Sequence, residues 1–176
     1  MINVIKRDGT SEPLDIEKLH KVVSFACEDI AGVSVSEVEL NSKIQFYDKI
    51  KSSDIQETLI KSAADLISES SPNYQWVAGR LINYHLRKQV YGQYEPCSLL
   101  DLVNKNIQRG FYDATILAKY SKKEFAKADS NIKHIRDNTL AFAAMEQWRG
   151  KYLVQNRVTK EIFETPQMAY MMIALT

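Results

Sequence analysis

The chain has 176 residues, a formal net charge of +1, 45% apolar residues and 26% charged ones, room for one domain or for a small domain and part of another. A charge this near zero argues against a general nucleic-acid binder, and no run of about 18 apolar residues offers a membrane span. Two isolated cysteines, Cys27 and Cys97, exclude a structural zinc ligand set and a disulfide framework. The start reaches Lys6-Arg7-Asp8 with no apolar signal region, which predicts a cytoplasmic protein.

Val4-Ile5, Lys6-Arg7 and Asp8-Gly9 predict a β-hairpin with a two-residue turn, because Gly accepts the positive φ such turns need. The second strand runs from Ser11 to Leu14, and Asp15 is placed to cap a helix from Ile16 to about Asp29. Its apolar positions are Ile16, Leu19, Val22, Val23 and Ala26, with Cys27 as a structural thiol on the same face. Fixed cations beside a helix N-terminus make an anion site, although a solvated basic hairpin has the same pattern.

Ser34 to Glu37 reads as a capping box opening a second helix to about Tyr47, with Val35, Val38, Leu40, Ile44 and Phe46-Tyr47 as apolar positions. Ser53 to Gln56 reads as another, opening a third helix with Ile55, Leu59, Ile60, Ala63, Ala64 and Ile67 inside. Ser71-Pro72 starts a fourth helix, carrying Trp76, Val77, Leu81, Ile82 and Leu86 to about Val90. Gly92 and Pro96 then break the pattern, which predicts a module boundary near residue 95.

Beyond it, a helix is predicted from Ser98 to Gln108, a capped helix from Ser121 with Phe125 and Ala128, and a longer helix from Asn131 to Met145. The longer helix uses Ile132, Ile135, Leu140, Ala143 and Ala144 as its apolar positions. Tyr152 to Val154 and Glu161 to Glu164 flank a turn and predict a second hairpin. Thr165-Pro166 opens a last helix that is apolar almost all round, as expected of a piece of a larger folded unit.

Lys6-Arg7-Asp8-Gly9, Glu12 and Asp15 to Lys18 resemble the start of an ATP-cone, the regulatory nucleotide-binding module of ribonucleotide reductases. Val38-Glu39-Leu40, Ile44 to Asp48, Lys51 to Ile55, Ala63 to Ser68, His85 to Lys88, Tyr91 to Pro96 and Lys151 to Arg157 are similar to the large subunit of aerobic class Ia ribonucleoside-diphosphate reductases. The resemblance covers essentially the whole chain. It implies a mainly α fold: an ATP-cone (hairpin plus four-helix cluster) over 1–95, then an incomplete helical portion over 96–176, ending before a ten-stranded α/β barrel.

The resemblance also implies ATP as activator and dATP as inhibitor, with Mg²⁺ accompanying the phosphates. Lys6, Arg7 and Lys88 would contact the triphosphate, where converging cations neutralise its charge. Glu12 would accept from the adenine amino group. Asp15 through Lys18 would surround base and sugar with Leu19 as apolar wall, Ser52 would offer a hydroxyl to phosphate, and Tyr84 would pack nearby. Gln56 stands where relatives strongly inhibited by dATP commonly carry His. Gln can bond a sugar hydroxyl but has no titratable proton, so binding of both nucleotides is expected and inhibition is the open point.

Plainer roles exist for each residue. Glu12 can pair with a surface lysine, Asp15 and Ser52 can serve as caps, and Lys88 suits the negative end of a helix.

The family's radical chemistry uses cysteines that Cys27 and Cys97 do not match, so the chain alone is not expected to reduce nucleotides. The implied partners are the remaining large-subunit polypeptide, as in a naturally split subunit, and the radical-generating small subunit, with no nucleic acid or membrane. The competing readings are a free-standing nucleotide sensor and a degenerate cone that binds nothing.

Overall fold

A computed structural model of the chain describes residues 2–43 and 45–176, and the expected apolar position Ile44 lies outside them. The chain separates into two units. One holds the residues through His85 together with Asn138–Met145; the other holds Leu86–Asp137 and Glu146–Thr176.

In the first unit, β1 (Asn3–Ile5) pairs antiparallel with β2 (Ser11–Pro13), Val4 opposite Glu12. The loop has three residues rather than the expected two: Lys6 N donates to Thr10 O at 2.8 Å, and Gly9, at φ +84°, donates to Lys6 O at 3.0 Å. The Asp8 carboxylate accepts from both the N–H and the hydroxyl of Thr10, at 2.9 and 2.6 Å, and these local bonds favour the longer loop. A strand not foreseen, β3 (Ile50–Lys51), pairs parallel on the other side of β1, giving the order β2-β1-β3. Pro13, which cannot donate, sits on an edge strand.

Helix α1 (Ile16–Cys27) starts where Asp15 accepts from Lys18 N at 3.0 Å, and it buries Leu19, Val23 and Ala26. Ile16, expected inside, is 56% exposed. Burial pushes the Cys27 thiol up to about 11, as suits a structural cysteine. Helix α2 (Val35–Lys43) stops short of Tyr47, and only half of its capping box forms. The Ser34 hydroxyl accepts from Glu37 N at 3.4 Å, but Ser34 N donates at 2.9 Å to the buried Tyr74 hydroxyl, which itself donates to the Glu37 carboxylate.

Helix α3 (Ser52–Asp65) begins two residues early, so Ser53 lies inside it and its expected box does not form. It buries Ile55, Leu59, Ile60 and Ala63. Helix α4 (Tyr74–Tyr91) buries Tyr74, Val77, Ala78, Leu81 and Ile82 and continues past His85, whereas Trp76, expected inside, is 37% exposed.

In the second unit, α5 (Leu99–Gln108) is capped by Ser98, whose hydroxyl accepts from Asp101 N at 3.1 Å. A single turn, α6 (Ile116–Lys119), was not foreseen. Helix α7 (Lys122–Asn131) carries a complete capping box: Ser121 N donates to the Glu124 carboxylate at 2.7 Å and Glu124 N to the Ser121 hydroxyl at 3.4 Å.

The long helix expected over residues 131–145 does not form. A 3₁₀ turn (His134–Thr139) and the short α8 (Phe142–Gln147) replace it. The His134 carbonyl accepts from Arg87 Nη2 at 2.8 Å, and the Asn138 carbonyl from Arg80 Nε at 3.4 Å. Side chains distant in sequence thus take acceptors a continuous helix would use internally.

A π-helical turn (Trp148–Tyr152) follows, so Tyr152 does not join the expected hairpin. That hairpin reduces to a bridge between Gln155 and Ile162, flanked by Asn156 N to Glu161 O at 2.8 Å and Phe163 N to Val154 O at 3.0 Å. Helix α9 (Pro166–Leu175) buries Pro166, Met168, Ala169 and Met172, while Ile173 is 68% exposed.

Candidate functional site

The hairpin and the start of α1 bring four ionic side chains together. Lys6 Nζ lies 2.8 Å from Glu12 Oε2, and Lys18 Nζ lies 3.9 Å from Glu12 Oε1 and 3.5 Å from Asp15 Oδ2. The hydrogen bond to Glu12 raises the Lys6 ammonium, and the Lys18 N–H holds the Asp15 carboxyl below its usual value. Asp15 is therefore a cap and a member of the cluster at once. Arg7 sits in the hairpin loop with an exposed side chain, and desolvation by nearby protein atoms lowers its guanidinium somewhat. Leu19 is buried in the first turns of α1.

The unforeseen strand places the next part. Because Ile5 lies opposite Lys51 in the β1–β3 pair, the following residues along the two chains are Lys6 and Ser52. Helix α3 therefore starts beside the cation of the hairpin. Its N-cap residue is Lys51, which has no side-chain acceptor, and no side-chain cap forms. The one acidic residue of the first turn is Asp54, so the positive end of the helix dipole meets a carboxylate beside the chain but no side chain caps its N–H groups. One turn into α3, the Gln56 Oε1 atom is buried and has no hydrogen-bond partner, so it is an acceptor lacking a donor.

Ser52 is the first residue of α3 rather than its cap. The next side chain after Gln56, Glu57, meets His85 of α4, Oε1 to Nε2 at 3.4 Å. Sequence reasoning passed over His85, although it stands three residues before Lys88 and so on the same helix face. Tyr84 is half-buried on α4. Lys88 is half-buried in the last turns of α4, in the second unit.

The arrangement can take an anion bearing hydrogen-bond donors. The hairpin supplies cations, α3 an uncapped N-terminus, and Glu12 and Gln56 supply acceptors. A nucleoside triphosphate matches that set, with phosphate oxygens for the first pair and amino and hydroxyl donors for the second. Among the described residues no three His, Cys, Asp or Glu side chains are grouped to hold a metal ion, and no helix is long and apolar enough to cross a membrane.

The chain is 52% identical over 171 residues to ribonucleoside-diphosphate reductase 1 subunit alpha of Escherichia coli (strain K12), covering 97% of this chain and 22% of that protein. It is 44% identical over 177 residues to the corresponding alpha subunit of Enterobacteria phage T4, covering 99% and 23%. For Helicobacter pylori the identity is 36% over 176 residues, covering 99% and 22%. The chain thus spans about a fifth of the length of these relatives, and corresponds to their N-terminal region. Residues 2–89, half of the sequence, match the ATP cone domain, and the chain belongs to that family.

Proposed function

We propose that this chain is the allosteric effector-binding portion of a ribonucleoside-diphosphate reductase alpha polypeptide, taking ATP or dATP in the first unit. The observation that carries this reading is the Lys6–Glu12–Lys18 cluster beside the uncapped start of α3. Without effector, Lys6 and Glu12 neutralise each other. With effector, Lys6 exchanges the carboxylate for phosphate oxygens, and Glu12 becomes available to the adenine amino group. Arg7 adds positive charge, Ser52 adds a hydroxyl, and Asp15, Lys18 and Leu19 border the base and sugar. Gln56 offers its unpartnered oxygen to a ribose hydroxyl. Magnesium would enter on the phosphate oxygens, its usual partners.

Residues 1–95 form the effector domain in this reading, and 96–176 begin the helical region that leads to the catalytic part. The chain supplies no catalytic residue. It contributes to ribonucleotide reduction through the rest of the alpha polypeptide and the radical-generating small subunit.

Calorimetric titration of the chain with ATP and with dATP tests the proposal. Both nucleotides are expected to bind. Lys6→Ala should weaken both by about tenfold or more, the scale of a hydrogen bond to a charged group. Gln56→Ala should weaken ATP more than dATP, because only ATP carries the 2′-hydroxyl. Absence of binding would leave a degenerate, structural cone. Co-purification with the downstream alpha polypeptide, and reduction activity that needs both, separates a reductase part from a free-standing sensor.

A further inference from the structure

Within the first unit, α4 has different neighbours on opposite sides. His85 meets Glu57 of α3 at 3.4 Å. Gly79, Arg80 and Asn83 instead meet the segment Asn138–Met145. Asn83 and His85 lie about 200° apart around the helix, so the α3 side and the segment side are opposed.

The fit on the segment side is close. A Cβ at Gly79 would lie 2.2 Å from the Leu140 carbonyl oxygen and 3.1 Å from the Ala141 carbonyl carbon, both backbone atoms. Asn83, wholly buried, donates from Nδ2 to Asn138 Oδ1 at 2.6 Å. Arg80 donates from Nε to Asn138 O at 3.4 Å and from Nη1 to Glu28 O, just past the end of α1, at 2.5 Å. One side chain therefore ties the segment to the far end of the helix whose first turn carries Asp15 and Lys18. Met145 is buried. Both ends of the segment continue into residues of the second unit, at Asp137 and Glu146.

We propose that Asn138–Met145 is a strap that completes the effector-binding unit and, held against α4 at Gly79, Arg80 and Asn83, is tightened when the effector site is occupied. The inference rests on the effector site proposed above. An effector held by the hairpin and α1 acts on the helix whose far end Arg80 ties to Asn138, and one held by α3 acts on α4 through Glu57 and His85. Because coupling between two sites is reciprocal, loosening the strap weakens the effector by the factor with which the effector tightens the strap.

Amide hydrogen exchange of residues 139–145 in the whole chain, with and without saturating Mg-ATP, tests this, with calorimetry on the same samples to measure binding. ATP is expected to slow exchange in the strap. Asn138→Ala, which removes the acceptor for Asn83, is expected to lower ATP affinity by about fivefold or more, the lower range of measured couplings. ATP binding with unchanged strap exchange overturns the strap while leaving the effector site intact. Absence of ATP binding overturns both. Should Asn138→Ala fail to fold, the exchange result on the unmodified chain decides.

Discussion

Gly79→Ala puts a methyl group against the backbone of Leu140 and Ala141. The added Cβ would stand 2.2 Å from the Leu140 carbonyl oxygen, where real contacts stay at or beyond 3.0 Å. The obstacle is backbone, so no rotamer change relieves it. Overpacking of this kind costs about 1–3 kcal/mol. Retreat of the strap also stretches the buried 2.6 Å Asn83–Asn138 bond, and an unsatisfied buried amide costs about 1–3 kcal/mol. Against this, Ala is favoured over Gly in a helix interior by about 1 kcal/mol. The net expectation is a loss of about 1–5 kcal/mol, or a fall in Tm of about 2–20 °C for a chain of this size. Thermal unfolding followed by circular dichroism measures it. The control is Gly150→Ala, where nothing lies within 4 Å of the added Cβ and stability should change by less than about 0.5 kcal/mol. A Gly79→Ala protein as stable as the unmodified chain would refute the close approach.

Tyr74→Phe removes the hydroxyl that accepts from Ser34 N and donates to Glu37, and should cost about 1–3 kcal/mol in urea unfolding; an unchanged midpoint would show that water replaces it. Asp137 is wholly buried, and burial raises it to about 7 despite opposing contributions from Gln167 and Arg87. Between the unfolded value of about 3.9 and about 7, the folded protein keeps this proton and the unfolded chain releases it. The group's stabilisation is therefore full below about pH 4 and lost as pH rises through about 7, up to an order of about 4 kcal/mol. Unfolding at pH 5 and pH 8 should show the unmodified protein losing more stability than Asp137→Asn, whose side chain has no proton to release. Parallel losses in the two proteins would count against a protonated Asp137.

Much of the candidate site was legible because its parts are neighbours in sequence. Lys6, Glu12, Asp15 and Lys18 fall on one hairpin and the helix after it, so a turn signal and a cap suffice to bring them together. Gln56 was reachable only through family resemblance, since an amide one turn into a helix has no distinguishing pattern. The uncapped start of α3 was misread because Ser53 looks like a cap; pairing of Ile50–Lys51 with β1 sets the start of α3 two residues earlier. His85 acquired a role only when α3 brought Glu57 to it.

The same division runs through the fold. Sequence alone determined the helices carrying their own stop and start signals: α1 behind Asp15, α5 behind Ser98, and α7 behind the Ser121–Glu124 box, where donor and acceptor lie within four residues. Tertiary structure decided the parallel strand β3, whose two residues have no signature without a partner. It also turned half of the α2 capping box over to Tyr74, and divided the expected helix over 131–145. That last stretch has helical apolar spacing, but Arg80 and Arg87 claim its carbonyls and Gly79 admits its backbone at van der Waals range. Local propensity contributes tenths of a kcal/mol per residue, whereas a buried polar group left unpaired costs about 1–3 kcal/mol, so where the two conflict the distant partner prevails.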